Sequence, residues 1–398
     1  MVKFLHTADW HLGIKYKKLG DKAQEAREIR LKTVKKLLSK SREHSVDFIL
    51  IAGDLFDNNQ VNRSLISSVS EMISKAAPTQ IFILPGNHDH LGKNSLFNDQ
   101  LWENLDNLTI FHEAKPLDLG DVTIYPCPVS QKKSKDDPTQ WIDAKKDNNI
   151  SIGVAHGNLQ ADFIEDANFP IDPLRTEKSG LDYLALGEWH SLFEQEDSNG
   201  ITRTVYPGTP ETTKFGENSS GQAVIVEIET PGSIPHLTPI DVGTLTWKEI
   251  VKEVNSLSDA HILETELESI IEPENSVLSL EVKGVTDQET INYLSQLESA
   301  LGNHFMFFQL FMDELYLKPN LLELKALLPE GAVVNQTFEA LMALMKTQPE
   351  IQEYSDISPQ RTREIFSQLQ EKDILEGLSP EVLNRAFLLM YQMIKEAS

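Results

Sequence analysis

The sequence predicts an α/β fold in which buried strands alternate with amphipathic helices. Over residues 1–230, short apolar runs bounded by glycine, proline or polar residues recur, as expected of strands buried on both faces. These runs are VKFLHTA, DFILIAG, QIFILPG, ISIGVAHG, DYLALG, TRTVYPG and AVIVEIE. Between the early runs, residues 22–44 and 62–77 place apolar side chains on one side at helical spacing. A strand–helix–strand order of this kind favours a sheet covered by helices.

The composition is that of an ordinary globular protein. The chain has 398 residues, 40% of them hydrophobic and 24% charged, which allows two or three domains. No apolar stretch approaches the ~18 residues that span a membrane, so we expect no membrane association. There is one cysteine, Cys127, and the N-terminus lacks a signal-peptide core. We therefore expect a cytoplasmic protein in a reducing compartment.

The charge is unevenly distributed along the chain. The net charge is −25, yet residues 1–150 contain 21 Lys and Arg against 20 Asp and Glu, and the remainder contains 15 against 41. A strongly acidic protein repels phosphate backbones. Any nucleic-acid contact is therefore expected in the first 150 residues or in a more basic partner. The run KYKKLGDK is one candidate contact, although a solvated surface explains these lysines equally well.

A domain boundary is predicted where prolines cluster, in residues 229–239. Beyond it, TWKEIVKEV and DAHILETELESII have helical spacing, and residues 276–317 form a β-α-β-like pattern. From residue 319 the pattern is mainly helical. We therefore predict three domains, over residues 1–235, 240–318 and 319–398.

Two serine–proline pairs predict helix starts in the last domain, Ser358-Pro359 and Ser379-Pro380. The final segment, PEVLNRAFLLMYQMIKEA, is amphipathic and rich in leucine and methionine. It is either a helix that packs within its own domain or a docking helix for another protein.

Residues of metal-binding type follow five of the apolar runs. In chain order they are Asp9 and His11; Asp54 and Asp57; Asn87, His88 and Asp89; His156; and Glu188 and His190. Ligands of α/β sheets bind at the carboxyl ends of the strands, so we expect these side chains to meet. We interpret His6, which lies within the first run, as a structural residue.

The donor types indicate a pair of metal ions. Carboxylate, amide oxygen and imidazole without thiolate suit Mn²⁺, Fe or Zn²⁺. Seven donors are too many for one ion, and Asp54 can bridge two ions through its two oxygens. Two such ions orient a phosphate ester and lower the pKa of an attacking water. We assign His88 to stabilising the transition state or protonating the leaving oxygen.

The motifs DWH, GDLFD, GNHD, AHG and GEWH resemble those of the calcineurin-like metallophosphoesterase superfamily. FLHTADWHLG, LIAGDLFDN and YPGTPETTKFGE are similar to its SbcD-type branch, the nuclease subunit of a double-strand-break repair complex. The resemblance implies a metallophosphoesterase β-sandwich with flanking helices, a small α+β capping domain and C-terminal helices. Those helices would bind an SMC-like, SbcC-type ATPase subunit. The resemblance further implies a homodimer through helices near residues 62–105.

The resemblance also implies how the ligands are divided. The first metal would take Asp9, His11, Asp54 and His190, and the second would take Asp54, Asn87, His156 and the residue at 188. Asp57 and Asp89 would contact these ligands without binding the metals themselves. The implied activity is that of an Mn²⁺-dependent exonuclease with single-strand endonuclease activity.

Glu188 departs from the G-H-x-H pattern of the family, because this chain has Gly187-Glu188-Trp189-His190. An anion in place of a neutral ligand leaves a net charge of about +1 at the centre, against about +2 otherwise. We expect metal binding with weakened or retuned catalysis, and Mn²⁺ or Mg²⁺ at the second position. Alternatively, Glu188 faces solvent and the second metal is lost.

Three functions remain open at this point. The first is a metal-dependent DNA nuclease of repair or recombination. The second is a phosphodiesterase or phosphatase that acts on nucleotides or other phosphate esters. The third is a weakly active or inactive scaffold that binds DNA or partners. The sequence leaves the mode of cleavage and the physiological metal undecided.

Overall fold

A computed structural model describes residues 1–145, 148–160, 167–319, 333–346, 359–370 and 379–396. The chain divides into two compact units. The first comprises Met1–Lys248 with Asn275–Val277, and the second comprises Glu249–Glu274 with Leu278–Ser398. The predicted division into three domains stays a prediction, since residues 320–332, next to the boundary expected at residue 319, lie outside the described ranges.

Twelve strands and three α-helices of the described chain precede residue 245. The strands are β1 (Val2–Thr7), β2 (Phe48–Ala52), β3 (Gln80–Leu84), β4 (Leu108–Ile110), β5 (Leu117–Asp118), β6 (Val122–Cys127), β7 (Ile150–His156), β8 (Tyr183–Gly187), β9 (Phe193–Glu196), β10 (Thr202–Tyr206), β11 (Gln222–Ile228) and β12 (His236–Asp241). The helices are α1 (Ala23–Glu43), α2 (Arg63–Ser74) and α3 (Arg175–Ser179). All seven apolar runs predicted as strands are strands.

These strands form two six-stranded sheets. The first has the order β12-β11-β1-β2-β3-β4, and the second has the order β5-β6-β7-β8-β10-β9. The neighbours from β1 to β4 are parallel, as are β6, β7, β8 and β10, while β11 runs antiparallel to β1. Parallel central strands explain the continuous apolar runs, because both of their faces are covered.

The two sheets pack face to face around one apolar core. Its members come from both sheets and include Phe4, Leu50, Phe82, Ile152, Tyr183 and Val205. A second core covers the outer face of the first sheet, where α1 and α2 contribute Val34, Leu37, Ile66 and Val69. The predicted α/β class, with a β-sandwich and flanking helices, is therefore confirmed.

A separate three-stranded sheet has the order β13-β14-β15, with β13 (Thr246–Glu253), β14 (Ser276–Thr286) and β15 (Phe307–Leu317). Helices α4 (Leu257–Glu268) and α5 (Gln288–Leu301) share a core with its strands, as the β-α-β-like pattern predicts. The helix predicted for TWKEIVKEV is wrong, because this segment is β13. Its apolar spacing suits either structure, and pairing at the sheet edge decides between them.

Three further helices are described: α6 (Val333–Lys346), α7 (Pro359–Gln370) and α8 (Pro380–Glu396). Helices begin at both predicted proline positions, Pro359 and Pro380, while Ser358 lies outside the described residues. The Ser379 hydroxyl accepts a hydrogen bond from the Val382 N–H at 3.2 Å, which caps α8. A shared core of α6 and α8 includes Phe338, Met342, Leu383, Phe387 and Tyr391. Within the described ranges, every helix is too short or too polar to cross a lipid bilayer.

Candidate metal centre

The predicted polar side chains converge at the ends of five strands: β1, β2 and β3 of one sheet, and β7 and β8 of the other. Four of these residues have left-handed backbones: Asp9 (φ 54°), His11 (φ 40°), Asp54 (φ 52°) and Glu188 (φ 108°). For residues other than glycine this conformation costs about 1–3 kcal/mol each and is typical of functional sites. The backbone therefore turns sharply after β1, β2 and β8, which directs these side chains toward a common volume.

Backbone contacts hold the loops together. The Asp9 N–H donates to the Gly53 carbonyl at 3.1 Å, and the His11 N–H donates to the Asp54 carbonyl at 3.0 Å. His156 lies against the same loop, and a Cβ at Gly53 would lie 2.1 Å from its Nδ1. Only glycine therefore allows the β2 loop and the β7 imidazole to approach this closely.

The first group of donors consists of Asp9, His11 and His190, whose ligand atoms lie within 4.8 Å of one another. The Nε2 atoms of His11 and His190 are 3.0 Å apart. His11 Nε2 also lies 3.8 Å from Asp54 Oδ2 and 3.9 Å from Asp9 Oδ1. Two facing imidazole nitrogens beside two carboxylates are suited to sharing a cation.

The second group consists of Asp9, Asp54 and His156, and Glu188 points into it. His156 Nε2 lies 3.0 Å from Glu188 Oε2 and 3.3 Å from Asp54 Oδ2. Asn87 Nδ2 donates to Glu188 Oε2 at 2.5 Å. The Glu188 side chain is 22% exposed, so its carboxylate lies inside the cluster and not in bulk solvent.

The donors fit divalent cations. His156 Nδ1 lies 3.0 Å from the Ala52 carbonyl, to which it can only donate, so Nε2 of the neutral ring carries the lone pair. Among the described residues, His11 Nδ1 and Asn87 Oδ1 are buried without a hydrogen-bond partner. A buried polar atom without a partner costs about 1–3 kcal/mol. A cation between these oxygens and nitrogens would remove part of that cost.

Opposing effects act on the acids and bases of the cluster. Burial raises the pKa of Asp9 to about 6. Burial would also raise the pKa of Asp54, but the adjacent His156 and His11 lower it below its usual range. For His156, burial acts to lower the pKa, and the Asp54 carboxylate raises it well above the ordinary value. Asp54 therefore stays ionised to lower pH than Asp9 does.

His88 lies at the rim of the cluster. Its backbone N–H donates to Asp54 Oδ1 at 2.9 Å, and its Nδ1 lies 2.8 Å from the Asp57 carbonyl oxygen. The ring contacts that of His11, with centroids 4.9 Å apart. Because Nδ1 is occupied by the backbone, Nε2 is the nitrogen that remains for a substrate.

The two carboxylates predicted to lie behind the ligands have different surroundings. Asp57 Oδ1 lies 3.8 Å from His11 Nδ1 at the partly exposed rim. Asp89 is fully buried and accepts hydrogen bonds from the backbone N–H groups of Gly86 at 2.8 Å and Phe56 at 3.0 Å. Burial raises the pKa of Asp89 to about 7. Asp89 thus connects the loop after β3 to the loop after β2 through hydrogen bonds.

Sequence reasoning did not identify Glu217 or Thr213. Glu217 Oε1 lies 2.6 Å from His190 Nδ1, and Thr213 Oγ1 lies 3.3 Å from the same nitrogen. A carboxylate at Nδ1 directs Nε2 toward the cluster and fixes the orientation of the ring. The segment YPGTPETTKFGE contains both residues, but its sequence carries no periodicity that points to His190.

Comparison with known proteins gives two results. The sequence model of the calcineurin-like phosphoesterase family matches residues 2–217, which is more than half of the chain. The chain is also similar to the uncharacterized metallophosphoesterase YhaO of Bacillus subtilis (strain 168). The two are 26% identical over 249 residues, which cover 58% of this chain and 59% of that protein. The chain therefore spans less than two thirds of this relative's length.

Proposed function

The chain belongs to the calcineurin-like phosphoesterase family, and from that premise we propose that it is an Mn²⁺-dependent DNA nuclease of repair or recombination. Metal-dependent hydrolysis of phosphoester bonds follows from the family itself. The observation that supports this chemistry here is the convergence of carboxylate, amide and imidazole donors from five strand ends.

Two divalent ions would be held by the residues that the sequence predicts. Asp9, His11, Asp54 and His190 would hold one ion, and Asp54, Asn87, His156 and Glu188 would hold the other. When bound, the ions would supply Lewis acidity toward the phosphate ester and a lower pKa for the attacking water. Mn²⁺ suits this mixture of oxygen and nitrogen donors, as do Mg²⁺, Fe and Zn²⁺ to differing degrees.

The protein's own groups orient the reaction. His190 is fixed by Glu217, and the His88 backbone N–H fixes one oxygen of Asp54. His88 Nε2 remains available to stabilise negative charge on the phosphate or to protonate the leaving oxygen. We expect His88 to act on the substrate and the predicted ligands to act through the cations.

The last helix supports the proposal of a protein partner. On α8, Val382, Leu389 and Met393 are 48%, 43% and 68% exposed. Their spacing of seven and four residues places them on one side, while Leu383, Phe387 and Tyr391 face the core shared with α6. An exposed apolar stripe on a helix that is already packed suits docking, and we propose an SMC-like, SbcC-type ATPase subunit as its partner.

Two further expectations belong to this proposal. We infer a homodimer through residues 62–105, which include α2 and two short 3-10 helices, Leu96–Asn98 and Gln100–Trp102. We also place the activity in the cytoplasm, which suits Cys127, a buried free thiol.

The proposal is tested by comparing substrates under one set of conditions. Single-stranded DNA and a chromogenic phosphate monoester are incubated with the protein and Mn²⁺, and with EDTA as the blank. We expect faster cleavage of DNA, complete loss with EDTA, and a loss of about 10²–10⁴-fold for His88→Asn with Mn²⁺ binding retained. The exposed His112→Asn variant is the matched control.

The other outcomes identify the alternatives. Faster hydrolysis of the monoester or of nucleotides would replace the nuclease by a phosphodiesterase or phosphatase. Binding of Mn²⁺ without any hydrolysis would identify a scaffold that has kept its cations.

A further inference from the structure

A buried guanidinium lies behind the loop that carries Asp9 and His11. Arg30, in the middle of α1, is 1% exposed. Its Nη1 donates to the Trp10 carbonyl at 2.6 Å, and its Nε donates to the Tyr16 hydroxyl at 2.8 Å. Burying a guanidinium costs free energy because it loses its hydration. Since the N–H groups of Arg30 donate to backbone carbonyls, we infer that Arg30 holds that backbone in place.

The loop that Arg30 holds is strained. Asp9 and His11 both have left-handed backbones, with φ of 54° and 40°, and Trp10 lies between them. The Asp9 carbonyl accepts a hydrogen bond from Thr209 Oγ1 at 2.8 Å. Two successive carbonyls of the strained turn, those of Asp9 and Trp10, are therefore anchored from behind. These anchors add to the backbone hydrogen bonds of Asp9 and His11 that hold the strained turn.

The same guanidinium binds the segment that orients His190. Arg30 Nη2 donates to the carbonyls of Glu211 at 2.5 Å and Thr212 at 3.2 Å. The next residue, Thr213, contacts His190 and also donates its N–H to Glu217 Oε2 at 2.7 Å. One planar fork therefore connects the loop that supplies Asp9 and His11 to the segment that orients His190.

We propose that Arg30 is a positioning residue that sets the affinity of the first metal site. This inference rests on the metal centre of the proposed function. Arg30 contacts none of the predicted ligand atoms. It acts through the backbone of the Asp9–His11 turn and through the backbone of the segment that orients His190. A lysine keeps the charge but has no planar fork, and it cannot reach carbonyls on both loops.

Calorimetric titration with Mn²⁺ alone tests the proposal on the full chain. Arg30→Lys and Thr209→Val should each weaken one of the two binding events by about 10–100-fold, the usual effect of removing an outer partner of a ligand. The matched control is Arg27→Lys on the same helix, since Arg27 donates at the surface to Gln24 and to the Lys15 carbonyl. Its Mn²⁺ affinity should equal that of the wild type.

Thermal unfolding in EDTA separates positioning from stability. If Arg30→Lys and Thr209→Val unfold at lower temperature but bind Mn²⁺ as the wild type does, their role is structural and the proposal is overturned. If Arg30→Lys does not fold, Thr209→Val decides alone, because it removes one hydroxyl and little volume. A wild-type protein that binds Mn²⁺ but cleaves no DNA would end the nuclease proposal and leave this inference intact.

Discussion

Glu188 shows how one residue sets the charge of the centre. Its carboxylate lies 3.0 Å from His156 Nε2 and receives a hydrogen bond from Asn87, so it is within reach of the proposed second cation. With Asp9 and Asp54 it brings the ligand charge to about −3 against +4 from two ions. A less positive centre attracts phosphate less strongly.

Replacing Glu188 by histidine should raise the activity that depends on Mn²⁺. Glu188→His restores a neutral donor, so we expect the KM for single-stranded DNA to fall by about tenfold, a change worth roughly 1.4 kcal/mol. Steady-state kinetics at several Mn²⁺ concentrations measures this. Glu194→His, at an exposed position of β9, is the control. Unchanged kinetics in Glu188→His would show that Glu188 binds no cation.

Removing the charge of Glu217 should weaken metal binding without touching a ligand. In Glu217→Gln the carboxylate no longer fixes His190, so we expect about 10–100-fold weaker Mn²⁺ binding by calorimetry. Asn218→Ala, at the exposed neighbouring position, should bind as the wild type does. Equal affinities in both variants would mean that His190 keeps its orientation without help.

At the scale of the elements, local patterns predict the strands well and their partners poorly. The run VKFLHTA is β1 and DFILIAG is β2, because burial on both faces demands continuous apolar residues. That β1 pairs with β11, which begins at Gln222, depends on contacts that no local pattern contains.

The same limit applies to the candidate site. The polar residues at the strand ends can be found from the sequence, because each breaks an apolar run. Glu217 and Arg30 cannot, since Glu217 meets His190 across 27 residues and Arg30 meets Glu211 across 181. The residues next to Glu217 and Arg30 in the sequence carry no pattern that predicts these contacts.

A buried histidine inside the sandwich should make the free energy of unfolding depend on pH. His6 on β1 is fully buried beside the Tyr183 hydroxyl, at 2.9 Å, and burial lowers its pKa to about 3. The unfolded chain protonates this ring below about pH 6.5 and the folded chain does not, so the free energy of unfolding falls as pH falls between about 6.5 and 3.

Urea unfolding in EDTA at pH 7.0 and 5.5 measures this effect. His6 should contribute about 1 kcal/mol to the loss of stability between these pH values, and His6→Gln should lose that much less than the wild type. His112→Gln, at an exposed position, should lose as much as the wild type. An equal loss in His6→Gln would show that the buried ring titrates normally.

At the scale of the whole molecule, the acidic charge should limit binding of DNA by this chain alone. The net charge is −25, and the basic residues are concentrated in the first 150 residues. We expect dissociation constants for labelled single-stranded DNA in the range of about 10⁻⁶–10⁻⁴ M at physiological salt, by fluorescence anisotropy in EDTA.

The exposed lysines of the 3-10 helix Lys17–Lys22 are the candidate contact. Lys17→Glu with Lys18→Glu should weaken DNA binding further, whereas the same change at the exposed Lys132 and Lys133 should not. Nanomolar binding by the wild type would contradict the expectation that a more basic partner supplies most of the affinity.

We expect the protein to bind two divalent cations where the strands of both sheets end. Anomalous scattering from crystals soaked in Mn²⁺ tests it most directly. We expect two peaks about 3.5–4 Å apart, with Asp54 between them, His190 beside one and Glu188 beside the other. A single peak, or peaks away from Asp54, would contradict it.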